Sequence, residues 1–518
     1  MKKSKSIILI TLMATMLLSA CSGKNNETES AAPSGSSSPA TSKTNQKLEK
    51  VTLKIMIPGD RPARMDAVIA EAEKRMADTL NVKLDITFVP WADLAQKTQL
   101  TLASGESIDL IFDAPWLHLS QQIAAGSYEP LEGLLDQYGQ NIVKARPQQM
   151  WDANKFSGKI YGIPLGAAHF QGRGYYVRKD IREKLGIAPI KSYDDLIKFA
   201  YAVKEKVPGI IPLLPAGQDG LKDMSEAVFR RFFDTKNHLS PSPVLTQSLV
   251  LYTKNNDGKV YNLFDEMDPT IWSWIKNARK LYQDGIIGKD VLAIKDLSQP
   301  AKEGKVAIFD QNNFGISPDI QSAVKQNDPN AEFEAVTFFD ATPKANISNF
   351  QQWNFIAVPA VSKNKERAIQ FLDWANQRDN YDLLTYGIKG EDWEPVGDDQ
   401  YKSISNGYAW FPFAWILNPL FDRLDANQDP ETQNYNKYTK VANNFTTDIL
   451  TGFTFDNTPV ANEIAQYNTI EAKYYTAIMN GVVDPDSSWL QFKTAASGLA
   501  KKIQTEEQKQ IDAFLSKK

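Results

Sequence analysis

The spacing of apolar positions changes period repeatedly between residues 51 and 116. Val51 to Ile57 is apolar and β-branched, and Val82 to Val89 alternates apolar with polar, so both read as strands. Met65 to Leu80 and Ala92 to Ala103 carry apolar residues at helical spacing, and Gly105 follows the second run. Ile108 to Phe112 is a third short apolar strand, and Pro115 is expected to open another helix, where proline is tolerated in the first turn. A β-α-β-α-β order predicts a parallel sheet with helices on both faces. Ligands of such sheets sit past the carboxyl ends of strands, and Asp113-Ala114-Pro115-Trp116-Leu117-His118 occupies such an end.

The pattern resumes downstream. Gly172 to Val177, Lys305 to Phe309 and Phe355 to Val358 read as strands. Ser192-Tyr193-Asp194-Asp195 predicts a capping box opening a helix to about Lys204. Helical spacing also marks Ile271 to Tyr282, Asn364 to Asn376, Val460 to Met479 and Thr505 to Leu515, where Thr505 and Gln508 form a second candidate capping box. From about Leu48 to Lys518 the chain is too long for one ordinary core, which suggests two or more lobes.

The amino terminus has a different composition. Lys2, Lys3 and Lys5 precede an apolar run from Ile7 to Leu18, and Leu18-Ser19-Ala20-Cys21 closes it. This is the layout of a secretory signal. The run is shorter than the roughly 20 apolar residues a membrane-spanning helix needs. Cys21 is the only cysteine of 518 residues, and Leu-Ser-Ala-Cys resembles a bacterial lipobox. That resemblance implies cleavage before Cys21 and a diacylglyceryl group on its sulfur. Ser22 to Thr44 is nearly all small or polar and reads as a flexible tether. About 27 such residues span roughly 30 Å root-mean-square.

Charge and composition exclude several partners. Loss of the three leader lysines takes the formal net charge from −4 to −7, which disfavours nucleic acid. With only His118, His169 and His238 and no further cysteine, a zinc site of the His/Cys type is not expected. No phosphate-loop motif is present, so no nucleotide cofactor is expected.

Four blocks then appear in order: "LASGESIDLIFDAPW" (102–116), "SGKIYGIPLG" (157–166) with "YYVRKD" (175–180), "EGKVAIFD" (303–310) and "WNFIAVPAVSKNKERAIQFLDW" (353–374). Together they resemble the family 1 extracellular solute-binding proteins, the maltose-binding-protein-like receptors of ABC importers. The tail from "GFTFDNTPVANEIA" to "EEQKQIDAFL" resembles a Gram-positive branch that serves complex sugars. The resemblance implies an α/β, two-lobed type II binding-protein fold with a hinge and a central ligand cleft. It places a signal peptide at 1–20 and a lipidated tether at 21–50. Lobe one would hold 51–165 plus 355–395, and lobe two 166–354 plus 396–518. The chain would cross the hinge near Pro164-Leu165-Gly166 and near Trp353.

The same resemblance implies a lipid-anchored protein on the extracellular face of the cell membrane. It would act as a monomer that carries an oligosaccharide to ABC permease subunits, with no catalysis, cofactor or metal. Sugars offer apolar faces to aromatic rings and hydroxyl pairs to planar polar groups. The cleft loops of the family fall here on Asp113 and Trp116, on His169, Gln171 and Arg173, and on Gln311, Asn312 and Phe314. Trp353 and Trp410 are the remaining aromatic candidates in the site. Each has a structural alternative: Asp113 as a helix N-cap, Arg173 in a salt bridge, Asn312 in a turn, Trp353 in packing. The aromatic patch Tyr408 to Trp415 also offers Trp415, and a helical run offers Trp272 and Trp274. Asp425 to Asn436 looks like a calcium loop but has Pro430 where the loop needs glycine, and it ends in Asn436 rather than Glu.

Three further readings stay open on the residues alone. One is a surface carbohydrate-active enzyme, which would need two carboxylates across a cleft. Another is a sensor that presents its closed form to a membrane receptor. The last is a binding protein for a peptide or polyamine.

Overall fold

The computed structural model describes residues 48–518, except 168–173, 216–221, 223–224, 235–236, 295–297, 312–317, 339 and 409–413; residues 311, 318 and 319 are described in backbone only. Cys21 and the segment before residue 48 lie outside the described residues, as do His169, Gln171, Arg173, Asn312, Phe314 and Trp410.

Two larger sheets organise the described residues. In the first, Val82–Val89, Val51–Pro58 and Leu110–Asp113 lie side by side and parallel, as their apolar pattern predicts. Phe355–Ala357 and Gly162–Pro164 then extend the sheet, and Phe355–Ala357 runs antiparallel to both its neighbours. The helices Met65–Met76 and Leu94–Ser104 supply the crossovers. Pro115 does not open a helix; a turn runs from Ala114 to Leu117 and the helix begins at Leu119.

The second sheet has the order Phe333–Val336, Gly174–Arg178, Val306–Gln311, Ile211–Leu214, with only the last two strands parallel. The helix Tyr193–Lys206 packs on it. Ser192 caps that helix as the sequence predicts, accepting the Asp195 amide proton. A third body follows from the carboxyl terminus. The helices Ala461–Met479 and Pro485–Leu515 pack with Pro269–Gln283 and a small ribbon of strands between residues 240 and 262. Gly481 makes that closeness possible: its φ is +69°, and a Cβ there would stand 2.3 Å from the Ala278 carbonyl.

Three helices open on the same Asp-Pro pair. Asp268, Asp429 and Asp484 each accept backbone N–H groups of the first turn, and the proline sits where no N–H is needed. Two expectations change as a result. Asp429 and Pro430 of the calcium-like stretch form a helix start. The Thr505–Gln508 box lies inside one 31-residue helix, where the Thr505 hydroxyl bonds back to the Lys501 carbonyl.

The first hydrophobic core reaches beyond residue 395 and takes in Tyr408, Trp415 and Ile416. Tyr408, Trp415 to Leu417 and Phe421 therefore pack with the first core, where the sequence boundary puts them in the other lobe. The chain then makes a third passage, in which Phe445–Thr447 pairs in parallel with Asn346–Ser348. A separate small core of Met150, Ala153, Phe350, Tyr438 and Phe445 forms where the passages meet. Two buried side chains tie this region together. The Arg146 guanidinium donates to the carbonyls of Pro164 (2.7 Å), Ile142 (3.0 Å) and Leu417 (2.7 Å). Asn154 donates to Met150 and Phe350 carbonyls and accepts the Gln352 amide proton. Because most of those bonds are buried, both side chains hold carbonyls that would otherwise lack a partner.

Candidate functional site

Past the carboxyl ends of the first sheet, the backbone folds around one carboxylate. Asp113 closes the strand Leu110–Asp113 and is fully buried. Its Oδ1 accepts the amide protons of Ala114 (2.7 Å) and His118 (3.3 Å), and its Oδ2 accepts the Tyr128 hydroxyl (2.6 Å). Burial pushes the Asp113 carboxyl above its ordinary value, and the Tyr128 bond works against that push. Tyr128 moves the same way, because burial and the neighbouring Asp113 both disfavour a phenolate. With its oxygens so engaged, Asp113 shapes the loop from within and presents no acceptor at the surface. The sequence reading as a ligand contact is corrected to that extent.

Trp116 stands at the apex of the loop that Asp113 holds. Its side chain is 48% exposed, and its indole N–H donates to Asn354 Oδ1 at 3.3 Å. Asn354 sits just ahead of the strand Phe355–Ala357, and its carbonyl accepts the Leu165 amide proton. Thus the ring is fixed to Asn354 and stays half-exposed.

A second tryptophan shares the position. Trp91 follows the strand Val82–Val89 and is 43% exposed. Its ring centroid lies 6.4 Å from that of Trp116, with 33° between the planes, and Phe112 packs against both from inside the lobe. Two half-exposed indoles at one sheet edge form an apolar shelf. Such a shelf suits the C–H face of a sugar ring. Trp91 was missed in the sequence, although a signal was there: both strands end in the same Pro-Trp pair, Pro90-Trp91 and Pro115-Trp116.

The other candidates divide. Trp353 is half-buried on the second crossing, between Ser348 and Phe355. Trp415 is fully buried against Phe371, at 6.1 Å between ring centroids, and belongs to the core. Trp274 is buried as well, and Trp272 packs near Trp489. Gln311 ends the strand Val306–Gln311, whose neighbour begins at Gly174. Its backbone therefore marks the edge of the second sheet nearest the first crossing. Among the described residues, no three His, Cys, Asp or Glu side chains gather as a metal site would require. No described helix is long and apolar enough to cross a membrane.

Comparison with known proteins adds the following. Residues 67–387 match the family model described as bacterial extracellular solute-binding protein, and residues 449–516 match a domain of unknown function. A carbohydrate ABC transporter substrate-binding protein of Streptococcus pneumoniae serotype 4 (strain ATCC BAA-334 / TIGR4) is 26% identical, covering 97% of this chain and 96% of its own. Lipoprotein LipO of Bacillus subtilis (strain 168) is 24% identical over 76% of this chain and 74% of its own. The N-glycan transport solute-binding protein NgtS of Streptococcus pneumoniae superimposes with a TM-score of 0.70 at 21% identity, over 90% of this chain and 99% of that one. The likeness extends to the two-lobed type II architecture.

Proposed function

The chain belongs to the bacterial extracellular solute-binding proteins, and from that premise we propose that it captures an oligosaccharide and hands it unaltered to an ABC permease. The observation that carries this reading is the exposed Trp91–Trp116 pair beside the hinge residue Asn354. A sugar laid on these indoles loses apolar hydration, and its hydroxyls can pair with polar groups of the facing lobe. A ligand held by both lobes binds the closed form better and shifts the hinge equilibrium toward it. The permease then reads the closed shape. The similarity to a carbohydrate ABC transporter substrate-binding protein and to an N-glycan transport solute-binding protein supports a glycan as cargo.

His169, Gln171, Arg173, Gln311, Asn312, Phe314, Trp353 and Trp410 remain the proposed contributors from the loops and crossings around the cleft. Asp113 serves by holding the Trp116 loop. The function needs no catalytic residue. Incubation with pectin, xylan, glucan and N-glycan fragments tests this directly. A rise in Tm with ligand recovered intact is expected, since a ligand bound only by the native state stabilises it. Product formation would replace the binding reading with the enzymatic one.

For location, we propose a diacylglyceryl anchor on Cys21 and a tether to about residue 50 on the outer face of the membrane. The likeness to a lipoprotein supports it. Cys21→Ser should release the protein from the membrane fraction into the medium; retention in the membrane would refute the anchor.

A further inference from the structure

The second lobe carries a groove that the sugar shelf does not explain. Two hollows, of about 580 and 480 Å³, share Tyr193 and Arg230 as walls. They lie beside the end of the second sheet where Gly174 and Tyr175 pair with Gln311 and Asp310. The Tyr175 ring is 6.4 Å from Tyr193, 5.4 Å from Phe233 and 6.4 Å from Phe338. The groove therefore adjoins the Tyr175 end of the second sheet.

Arg230 is the unusual member. Its guanidinium lies 3.9 Å from the Tyr193 ring centroid and 5.8 Å from that of Trp274. It forms no hydrogen bond and no ion pair with any described residue. Arginine's five donors form a rigid fork matched to an oxyanion, and here the fork is set by two rings and left open to a hollow. The smaller hollow is also the more cationic one. Lys191 and Arg230 face Asp234 there, and Asp234 already accepts the Asn237 backbone amide at 3.0 Å and its side-chain amide at 2.8 Å. The larger hollow balances Lys198 and Arg230 against Asp194 and Glu205. Beneath Arg230, buried Glu226 accepts the Tyr193 hydroxyl; burial pushes its carboxyl up to about 7. The Tyr193 bond and the Arg230 charge work against that push.

The apolar walls fit a sugar. Phe233, Trp274 and Phe338 line the smaller hollow. Phe338 is held at φ +51°, a conformation bulky residues rarely adopt, as happens where a fold fixes a side chain for use.

We propose that the smaller hollow is a subsite for a carboxylate-bearing sugar residue, with Arg230 binding the carboxylate through its fork. This rests on the oligosaccharide reading and narrows it to acidic glycans. The test is isothermal titration of the full chain with oligogalacturonate, glucuronoxylan and alginate fragments, each beside its carboxyl-reduced twin. At least one acidic fragment should bind about 10-fold or more tightly than its twin, the scale of a charged hydrogen bond. Arg230→Gln should bring that ratio close to one, and Arg230→Lys should keep part of it, since lysine keeps charge without the fork. Circular dichroism establishes that both variants are folded. A ratio near one in the native protein overturns the subsite while leaving the sugar reading intact. So does binding of neutral fragments alone, or a ratio that survives Arg230→Gln. Binding of no carbohydrate at all removes the sugar reading and the subsite together.

Discussion

The Tyr128 hydroxyl donates to Asp113 Oδ2 at 2.6 Å, with both residues almost wholly shielded from water. The loop bearing Trp116 is therefore built on a buried carboxylate that accepts three hydrogen bonds, the Tyr128 bond alone on Oδ2. Tyr128→Phe leaves one of those oxygens without its donor. The expected cost is about 1–3 kcal/mol of stability, read from urea unfolding, with weaker ligand binding as the loop relaxes. An unchanged unfolding midpoint would count against this account of the loop.

Trp91 and Trp116 are half-exposed, so removing either should harm binding more than folding. Trp91→Ala and Trp116→Ala are each expected to weaken oligosaccharide binding by about 2 kcal/mol, the scale of an aromatic hot spot. Titration calorimetry measures it. Trp415→Phe is the contrast: that ring is in the core, so its effect should appear in Tm and leave the Kd near that of the native protein.

At the hinge, Arg146 serves carbonyls from three separate stretches of chain. Arg146→Met should lower stability by about 3 kcal/mol or more, since each buried carbonyl left unbonded costs about 1–3 kcal/mol. Arg146→Lys should lie between, because one ammonium cannot reach all three as well as a planar fork. Denaturant titration of the three proteins would order them.

Glu507 is fully buried in the last helix and accepts the Val244 amide proton at 3.0 Å. Burial pushes its carboxyl up to about 7, from an ordinary value of 4.5. A raised acid binds more protons folded than unfolded between those two values. Stability therefore falls as pH rises from about 4.5 to about 7, and the loss stays in force above that. Glu507→Gln should flatten this slope and gain up to about 3 kcal/mol over the native protein at pH 8. Tm measured from pH 4 to 8 for both proteins checks the sign.

The parts of the fold that local pattern controls were readable from sequence. The parallel strands at 51, 82 and 110 alternate or run apolar, and Ser192 caps its helix through residues three positions away. What escaped depends on distant chain. Phe355–Ala357 enters the first sheet antiparallel between strands more than 190 residues upstream. Thr505 looks like a helix start until one sees that Asp484 has already begun the helix. The first core extends past 395 because Trp415 packs on Phe371, which no local period reveals. At the site, Trp116 was found through its strand end, and Trp91 was missed at an equivalent one. Arg230 offers no motif at all: its meaning comes from Tyr193 and Trp274, which only folding sets on either side of it.

The final helix receives backbone protons from Val244 and Val260 on Glu507 and Gln508, across 263 and 248 residues. Synthesis proceeds from the amino end, so the part of the Pro269–Gln283 face that the final helix covers stays open until that helix is released. A prematurely stopped copy would keep that part bare and be an obvious substrate for chaperones and proteases.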